Sequence, residues 1–364
     1  MLYKMFYILI IIFFYYWNLY SLTFYQLNTS CKAIKELVYL SKNDIISCNK
    51  AYKYLEENAN EQDTDTELDT KQVEKYYKVL NIFLSIVDIE KMYIPPHIND
   101  KQGLFENQLI IEKKITNTLN ANETSKILDI GCGRGRIAHN VHKLTGAFID
   151  GYNIDSVQID NAIKYTKSNN LSDKIKFKVA DHHNTLPYED NYFDASYSYQ
   201  ALWPFLKKNE LKHAASELYR VLKPGGIYSC SEYVITQDFD FKNNEHRNLH
   251  KLFLPTLAAT KSNYPSDIVK ALENAGFDII TSKPSDAPTW TLTEQKTNLI
   301  IMFKYIAVIL SKIGVLYPEL VTLIENLLKG GEAWKIAEKA KIADLNWQIV
   351  IKKPLTPKKY CFIY

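Results

Sequence analysis

A doubly wound α/β fold is the architecture this 364-residue sequence predicts. Three observations carry it. A short apolar run, Lys126-Ile-Leu-Asp-Ile130, opens onto glycines at alternate positions, Gly131, Gly133 and Gly135. Two further strand-like runs follow at helix-length spacing and close on polar residues, Asn153 and Asp181. Leu222-Lys-Pro-Gly-Gly226 then stops a helix before another apolar run, Ile227 to Val234. Apolar runs bounded by glycine turns read as buried strands. Strand, turn and helix in repeated order build a sheet whose ligands sit at the carboxyl ends of the strands.

The remaining elements follow in chain order. Met5 to about Tyr25 is apolar and aromatic, preceded only by Lys4. A helix of roughly 20 such residues spans a bilayer, so residues 1–25 are expected to form a transmembrane or signal-anchor helix. A cleaved signal peptide is the other reading. Lys32, Lys35, Lys42 and Lys50 follow the run, and this excess favours a cytosolic body. Residues 26–72 read as a spacer helix and an acidic linker, with Glu56 to Gln72 largely polar and acidic. The globular core is expected over 73–285, a C-terminal addition with a last strand over 286–354, and a basic tail over 355–364. Leu299 to Leu310 is apolar on nearly all faces but interrupted by Lys304. A buried or lid helix suits it best, with membrane-surface contact second.

Net charge is +3, close to balanced, and nothing argues for nucleic acid. Cys31, Cys48, Cys132, Cys230 and Cys361 have no metal-ligand spacing, so no metal site is expected and a reducing compartment is the simpler reading.

A dinucleotide loop needs G-x-G-x-x-G. Here the third glycine comes one position early, and Arg136 stands where glycine is required. A P-loop would need Gly-Lys-Ser/Thr, which is absent. Alternate glycines with an acid inside the strand resemble the first motif of class I S-adenosylmethionine-dependent methyltransferases. The resemblance implies a seven-stranded Rossmann-like sheet and S-adenosylmethionine as cofactor. It sets Asp129, Gly131, Cys132, Gly133 and Gly135 at the methionine end. Asn153 stands where the usual member has an acid on the ribose hydroxyls, with Asp155 and Gln158 just beyond. Asp181 is placed to accept from the adenine amino group, and the backbone of His182 to serve the ring edge.

Downstream, Ser231-Glu-Tyr-Val, Asn243-Asn-Glu-His-Arg247, Ala275-Gly-Phe-Asp-Ile-Ile280, Lys329-Gly-Gly331 and Trp347-Gln-Ile-Val-Ile occur in the order seen in sterol C-24 methyltransferases. From about Val73 to Pro354 the chain resembles that family. The resemblance implies methyl transfer to a carbon of a sterol or related isoprenoid lipid, through a carbocation that is then deprotonated. Glu232 and His246 are the candidate bases, with a buried structural carboxylate and a helix-start histidine as the bland readings. Tyr199 and Trp203, beside Gln200, are candidates for the aromatic pocket, and core packing is the competing reading for Trp203. Two elements depart from the family. Its Tyr-Glu-Tyr-Gly-Trp-Gly segment is missing, and Gln200-Ala-Leu-Trp-Pro204 replaces an acid and a Cys-His pair. Two alternatives therefore stand: a methyltransferase acting on a quinone or small amine, or a degenerate member that binds cofactor or lipid without turnover. The expected partners are a sterol-like lipid and a membrane, the endoplasmic reticulum with a cytosolic body. Homo-oligomerisation is left open.

Overall fold

The computed structural model describes residues 32–356, apart from residues 34, 38, 62–63, 87–90, 92, 100, 290–293 and 315. The expected membrane helix over 1–25 lies outside the described residues, as does most of the basic tail. Among the described residues no helix is long and apolar enough to cross a membrane.

Seven strands form one sheet: β1 (Lys126–Ile130), β2 (Phe148–Asn153), β3 (Ile175–Val179), β4 (Phe193–Tyr199), β5 (Leu222–Ile235), β6 (Asp278–Lys283) and β7 (Ala343–Lys352). Their order is β3-β2-β1-β4-β5-β7-β6. The first five are parallel, and β7 inserts antiparallel between β5 and β6. Side chains of β1 alternate between two apolar layers. Leu128 and Ile130 pack with Tyr152, Phe193 and Tyr228, while Ile127 packs with Ile149, Ile175 and Tyr197. Burial on both faces explains why these strands read as near-continuous apolar runs. Each fully buried side chain of this size contributes about 1.5–3 kcal/mol.

Helices α1 (Lys42–Glu57), α2 (Thr66–Ile86) and α3 (Leu104–Leu119) precede the sheet. Within it come α4 (Arg136–Thr145), α5 (Ser156–Ser168), α6 (Leu211–Val221), α7 (Asn244–Phe253), α8 (Pro265–Ala275), α9 (Glu294–Lys312) and α10 (Pro318–Lys339). Local chemistry sets their ends. Asp155 caps α5 by accepting from the Val157 and Gln158 amides at 2.8 and 3.3 Å. Pro265 and Pro318 occupy first-turn positions, where a missing N–H costs nothing. The parallel order reverses at β1, between β2 and β4, and that is the switch point where such sheets bind ligands.

The N-terminal region differs from the expected spacer and linker. Residues from Thr66 onward are helical, and α1 and α2 are packed, not solvated. Tyr52, Leu55, Val73, Tyr76, Val79 and Leu80 share a core with Leu320 and Leu323 of α10. The acidic bias that suggested a linker belongs partly to the first turn of α2, where Glu67 and Asp69 complement the helix dipole. Val73, Tyr76, Tyr77 and Leu80 then repeat at helical spacing and form the buried stripe.

Candidate functional site

A cleft of about 1040 Å³, counting its open mouth, lies at the carboxyl ends of β1, β2 and β4. Its floor is the glycine loop, and α2 forms one wall through Thr66, Asp69, Thr70, Val73 and Tyr77. Gly131, Gly133 and Gly135 have φ of 69°, 53° and 76°, the left-handed region that glycine enters freely. The Cys132 amide donates to the Tyr152 carbonyl at 2.9 Å, and the Gly135 amide to the Cys132 carbonyl at 2.9 Å. A Cβ on Gly131 would lie 2.4 Å from the Ala201 Cβ. Gly131→Ala is therefore expected to cost about 1–3 kcal/mol through overpacking, read as a lower unfolding midpoint. Gly133→Ala, with only the Gln158 side-chain oxygen nearby at 3.3 Å, is expected to be milder.

Asp129 stands two residues before Gly131, behind the loop and not among the residues that line the cleft. It is 2 % exposed, and its Oδ2 is buried without a well-formed hydrogen bond. Burial, opposed by the Tyr197 hydroxyl and reinforced by the Glu112 carboxylate, pushes its pKa up to about 7. An uncompensated buried carboxylate is costly unless a cation or donor meets it.

At the β2 end, the Asn153 amide donates to Gln158 Oε1 at 3.0 Å. Gln158 donates to Asn81 Oδ1 at 3.4 Å, and Asn81 to Asp155 Oδ2 at 3.4 Å. Asn153, Gln158 and Asp155 thus meet at the cleft, joined by an α2 residue that the sequence did not single out.

Beyond β3 the arrangement differs from expectation. Asp181 does not line the cleft. Its Oδ1 accepts from the His183 amide at 3.0 Å and meets His183 Nδ1 at 2.7 Å. Burial alone would raise Asp181, but these bonds to His183 hold it below its ordinary value. The partnership in turn raises His183 against its own burial. The adjacent histidine therefore takes the oxygen assigned to adenine. His182 lines the cleft, with its Nε2 buried and without a partner. Burial, with His183 adding to it, pushes His182 down to about 4, so the ring is neutral at pH 7. Ligand atoms of Asp181, His182 and His183 lie within 4.8 Å of one another, but the first and third already satisfy each other.

The wall formed by Tyr93 and Tyr199 carries a polar network. Their rings are 4.8 Å apart. The Tyr93 hydroxyl donates to Glu112 Oε1 at 2.7 Å. Lys91 Nζ reaches both Glu112 oxygens at 2.7 and 2.8 Å, and Asn140 donates to Oε2 at 2.6 Å. Lys91 and Tyr93 line the cleft, while Glu112 is wholly buried behind them. The sequence reading missed all three. A signal existed, because Glu112 sits on the buried stripe of α3 between Gln108, Ile111 and Ile115, where a carboxylate needs a partner.

Four sequence candidates lie elsewhere or are already engaged. Glu232 is fully buried in β5 and does not line the cleft. It accepts from the Ser198 hydroxyl and, at 3.0 Å, from the Ala201 amide, which anchors the turn after β4. Trp203 is a core residue whose indole donates to the Tyr228 hydroxyl at 3.1 Å. Gln200 lines the cleft, but its amide is consumed. Its oxygen accepts from the Ile94 amide at 3.1 Å, and its nitrogen donates to the Ile94 and Leu345 carbonyls at 2.9 and 3.1 Å. His246 lies in the first turn of α7 and accepts from the Asp240 amide at 3.0 Å, outside the cleft. Position on a strand or after a motif does not say which side of a network a side chain serves. His246→Ala is expected to leave turnover within about twofold, as for surface substitutions generally. Among the described side chains of α9, none lines the cleft.

Two buried acids also set a pH dependence. Burial pushes Glu232 up to about 8 and Asp129 up to about 7, from ordinary values of 4.5 and 3.8. Between the ordinary and the raised values the folded chain binds more protons than the unfolded chain. Stability contributed by these groups is therefore present at low pH and lost as pH rises through about 7 to 8. Urea midpoints measured at pH 5.5 and 8.5 should fall toward the higher pH, and Glu232→Gln should flatten the upper part of that slope.

Known proteins share parts of this sequence and its fold. A family model described as a methyltransferase domain matches residues 127–226. The chain is 35% identical to a sterol 24-C-methyltransferase of Yarrowia lipolytica, over 42% of this chain and 39% of that protein. With the sterol 24-C-methyltransferase of Debaryomyces hansenii it shares 30% identity, over 59% of this chain and 58% of that one. The chain thus spans less than two thirds of the length of these curated relatives. Among solved structures, the cyclopropane synthase MmaA2 from Mycobacterium tuberculosis superposes with a TM-score of 0.57 at 12% identity, covering 72% of this chain and 89% of that one. Geranyl diphosphate C-methyltransferase from Streptomyces coelicolor gives 0.54 at 15%, covering 80% and 99%. These two likenesses establish the fold.

Proposed function

We propose that this chain, which carries a methyltransferase domain and is a divergent relative of the sterol 24-C-methyltransferases, methylates a carbon of a sterol or related isoprenoid lipid. The observation that carries the reading is the buried Asp129 carboxylate behind the glycine loop, with the Tyr197 hydroxyl beside it and its Oδ2 not taken by a well-formed hydrogen bond, next to a cleft walled by Tyr93, Tyr199 and the Glu112–Tyr93 network. The residues fit S-adenosylmethionine. Asp129 Oδ2 lacks the donor that an ammonium would bring, and Gly131 and Gly133, which line the cleft, put no Cβ between their backbone and a ligand. Asn153, Gln158 and Asp155 offer polar groups for a diol, and His182 a neutral ring nitrogen for a base edge.

When bound, the cofactor supplies an electrophilic methyl group on a sulfonium. The chain's own residues then have three tasks. Two aromatic faces, Tyr93 and Tyr199, stabilise the cationic carbon left when a substrate double bond takes the methyl. The cleft holds the reacting groups in line, which supplies much of the acceleration. Glu112, acting through Tyr93, is the base in place of Glu232 or His246. The neighbouring carbon loses its proton to Tyr93 Oη while the Tyr93 proton passes to Glu112 Oε1, and the C–H electron pair forms the new double bond. Lys91 balances the carboxylate in the resting state.

The test is incubation with methyl-labelled S-adenosylmethionine and a membrane lipid extract. Label in the sterol or isoprenoid fraction is the expected result. Label in a quinone or amine fraction would move the acceptor to those classes. Cofactor binding with no transfer to any acceptor would reduce the chain to a binding member.

A further inference from the structure

We infer that the outer face of α9, together with the chain entry beside it, docks onto a lipid bilayer. This inference does not depend on which molecule is methylated. Helix α9 packs one side against α10 through Ala307 and Leu310, and Lys304 is tied to Glu325 at 3.0 Å. Its other side presents Tyr305, Ile309 and Ile313, 64%, 61% and 56% exposed, at successive helical turns. Tyr317 continues the stripe into the turn before α10. No described element covers these side chains.

What identifies the occupant is where the chain enters. Lys42, at the start of α1, lies 3.8 Å from Glu319 at the start of α10, and Asn49 donates to the Glu319 carbonyl at 2.7 Å. Leu37, Leu40, Leu316 and Leu320 belong to one apolar cluster. The described chain therefore begins beside the exposed stripe. The sequence ahead of it, from Met5 to Tyr25, is the apolar, aromatic run long enough for a bilayer. Lys32, Lys35 and Tyr39, ahead of α1, and Lys312, at the end of α9, are exposed. An apolar stripe flanked by tyrosine and lysine is the chemistry of a headgroup boundary, where rings sit at the interface and ammonium groups reach anionic lipid. A protein partner would not require an apolar sequence of bilayer length ahead of the same edge in the chain.

The full chain tests this. With Cys31→Ser and Cys361→Ser in place, the described cysteines Cys48, Cys132 and Cys230 are buried, so a new surface cysteine can be labelled with an environment-sensitive fluorophore. Ile309→Cys is the reporter, and Val157→Cys on α5, 71% exposed, is the control. On phosphatidylcholine–phosphatidylserine vesicles, emission at position 309 should shift to the blue and be quenched by lipids brominated in their acyl chains, while position 157 stays unchanged. Vesicle-bound protein with an unshifted reporter at 309 would overturn the inference. So would a reporter already shielded before lipid is added and insensitive to brominated chains, because the N-terminal segment or a second copy would then cover the stripe.

Discussion

Tyr93→Phe is expected to lower turnover by about 10²- to 10⁴-fold, the usual worth of a positioned proton acceptor, while cofactor affinity stays unchanged. The substitution keeps the ring that packs at 4.8 Å on Tyr199, so cation stabilisation survives and only the route to Glu112 is cut. Glu112→Gln should produce a similar loss, with a complication. It would leave Lys91 without its carboxylate in a site where Lys91 is 5% and Glu112 0% exposed. Breaking such a buried pair costs about 3–5 kcal/mol. Tyr93→Phe is therefore the cleaner experiment. Single-turnover rates paired with calorimetric cofactor binding separate the two effects. Near-normal turnover in Tyr93→Phe would remove Glu112 as the base and direct attention to the unpartnered Tyr199 hydroxyl.

Asp129→Asn should weaken S-adenosylmethionine binding by about 10- to 100-fold, the equivalent of one hydrogen bond to a charged group. Its effect on the ligand-free fold runs the other way. The native carboxyl has its pKa raised by burial to about 7, so at pH 8 it is held buried and charged at a cost. The neutral amide removes that cost, and the variant should unfold at higher denaturant than the parent above pH 7. Weaker binding with a fold at least as stable is not what a merely structural aspartate would give. Unchanged affinity would mean that the glycine loop does not meet an ammonium group.

The parts of the cleft legible in the sequence are those within a few residues of a strand end. Gly131, Cys132, Gly133 and Asn153 belong to β1, β2 or the turns that leave them, with Asp129 just behind in β1 and Gln158 in the first turn of α5, and a doubly wound sheet collects such positions at one edge. Residues from α2, α3 and the segment between them were not legible. Tyr93 and Asp69 line the cleft, with Glu112 and Asn81 bonded behind its lining, through packing between helices and sheet, which leaves no fixed spacing in the chain. For α2 the acidic composition also concealed a buried stripe. Asp181 and Glu232 illustrate a different limit. Both sit at strand positions suited to ligands, but His183 takes the oxygen of one, and the backbone after β4 takes that of the other. Such pairings are settled by the third dimension. The apolar segment from Leu299 to Leu310 was legible as a helix, yet only packing reveals that Ala307 and Leu310 are buried while Tyr305 and Ile309 face outward.

The most direct measurement is the connectivity of the product made from S-adenosylmethionine carrying a ¹³C methyl group and an isoprenoid lipid acceptor. A ¹³C nucleus coupled directly to a carbon of the lipid, with one proton lost from a neighbouring position, is the predicted result. A ¹³C methyl attached to oxygen or nitrogen would contradict carbon methylation and the carbocation route, whatever the affinity of the cleft for the cofactor.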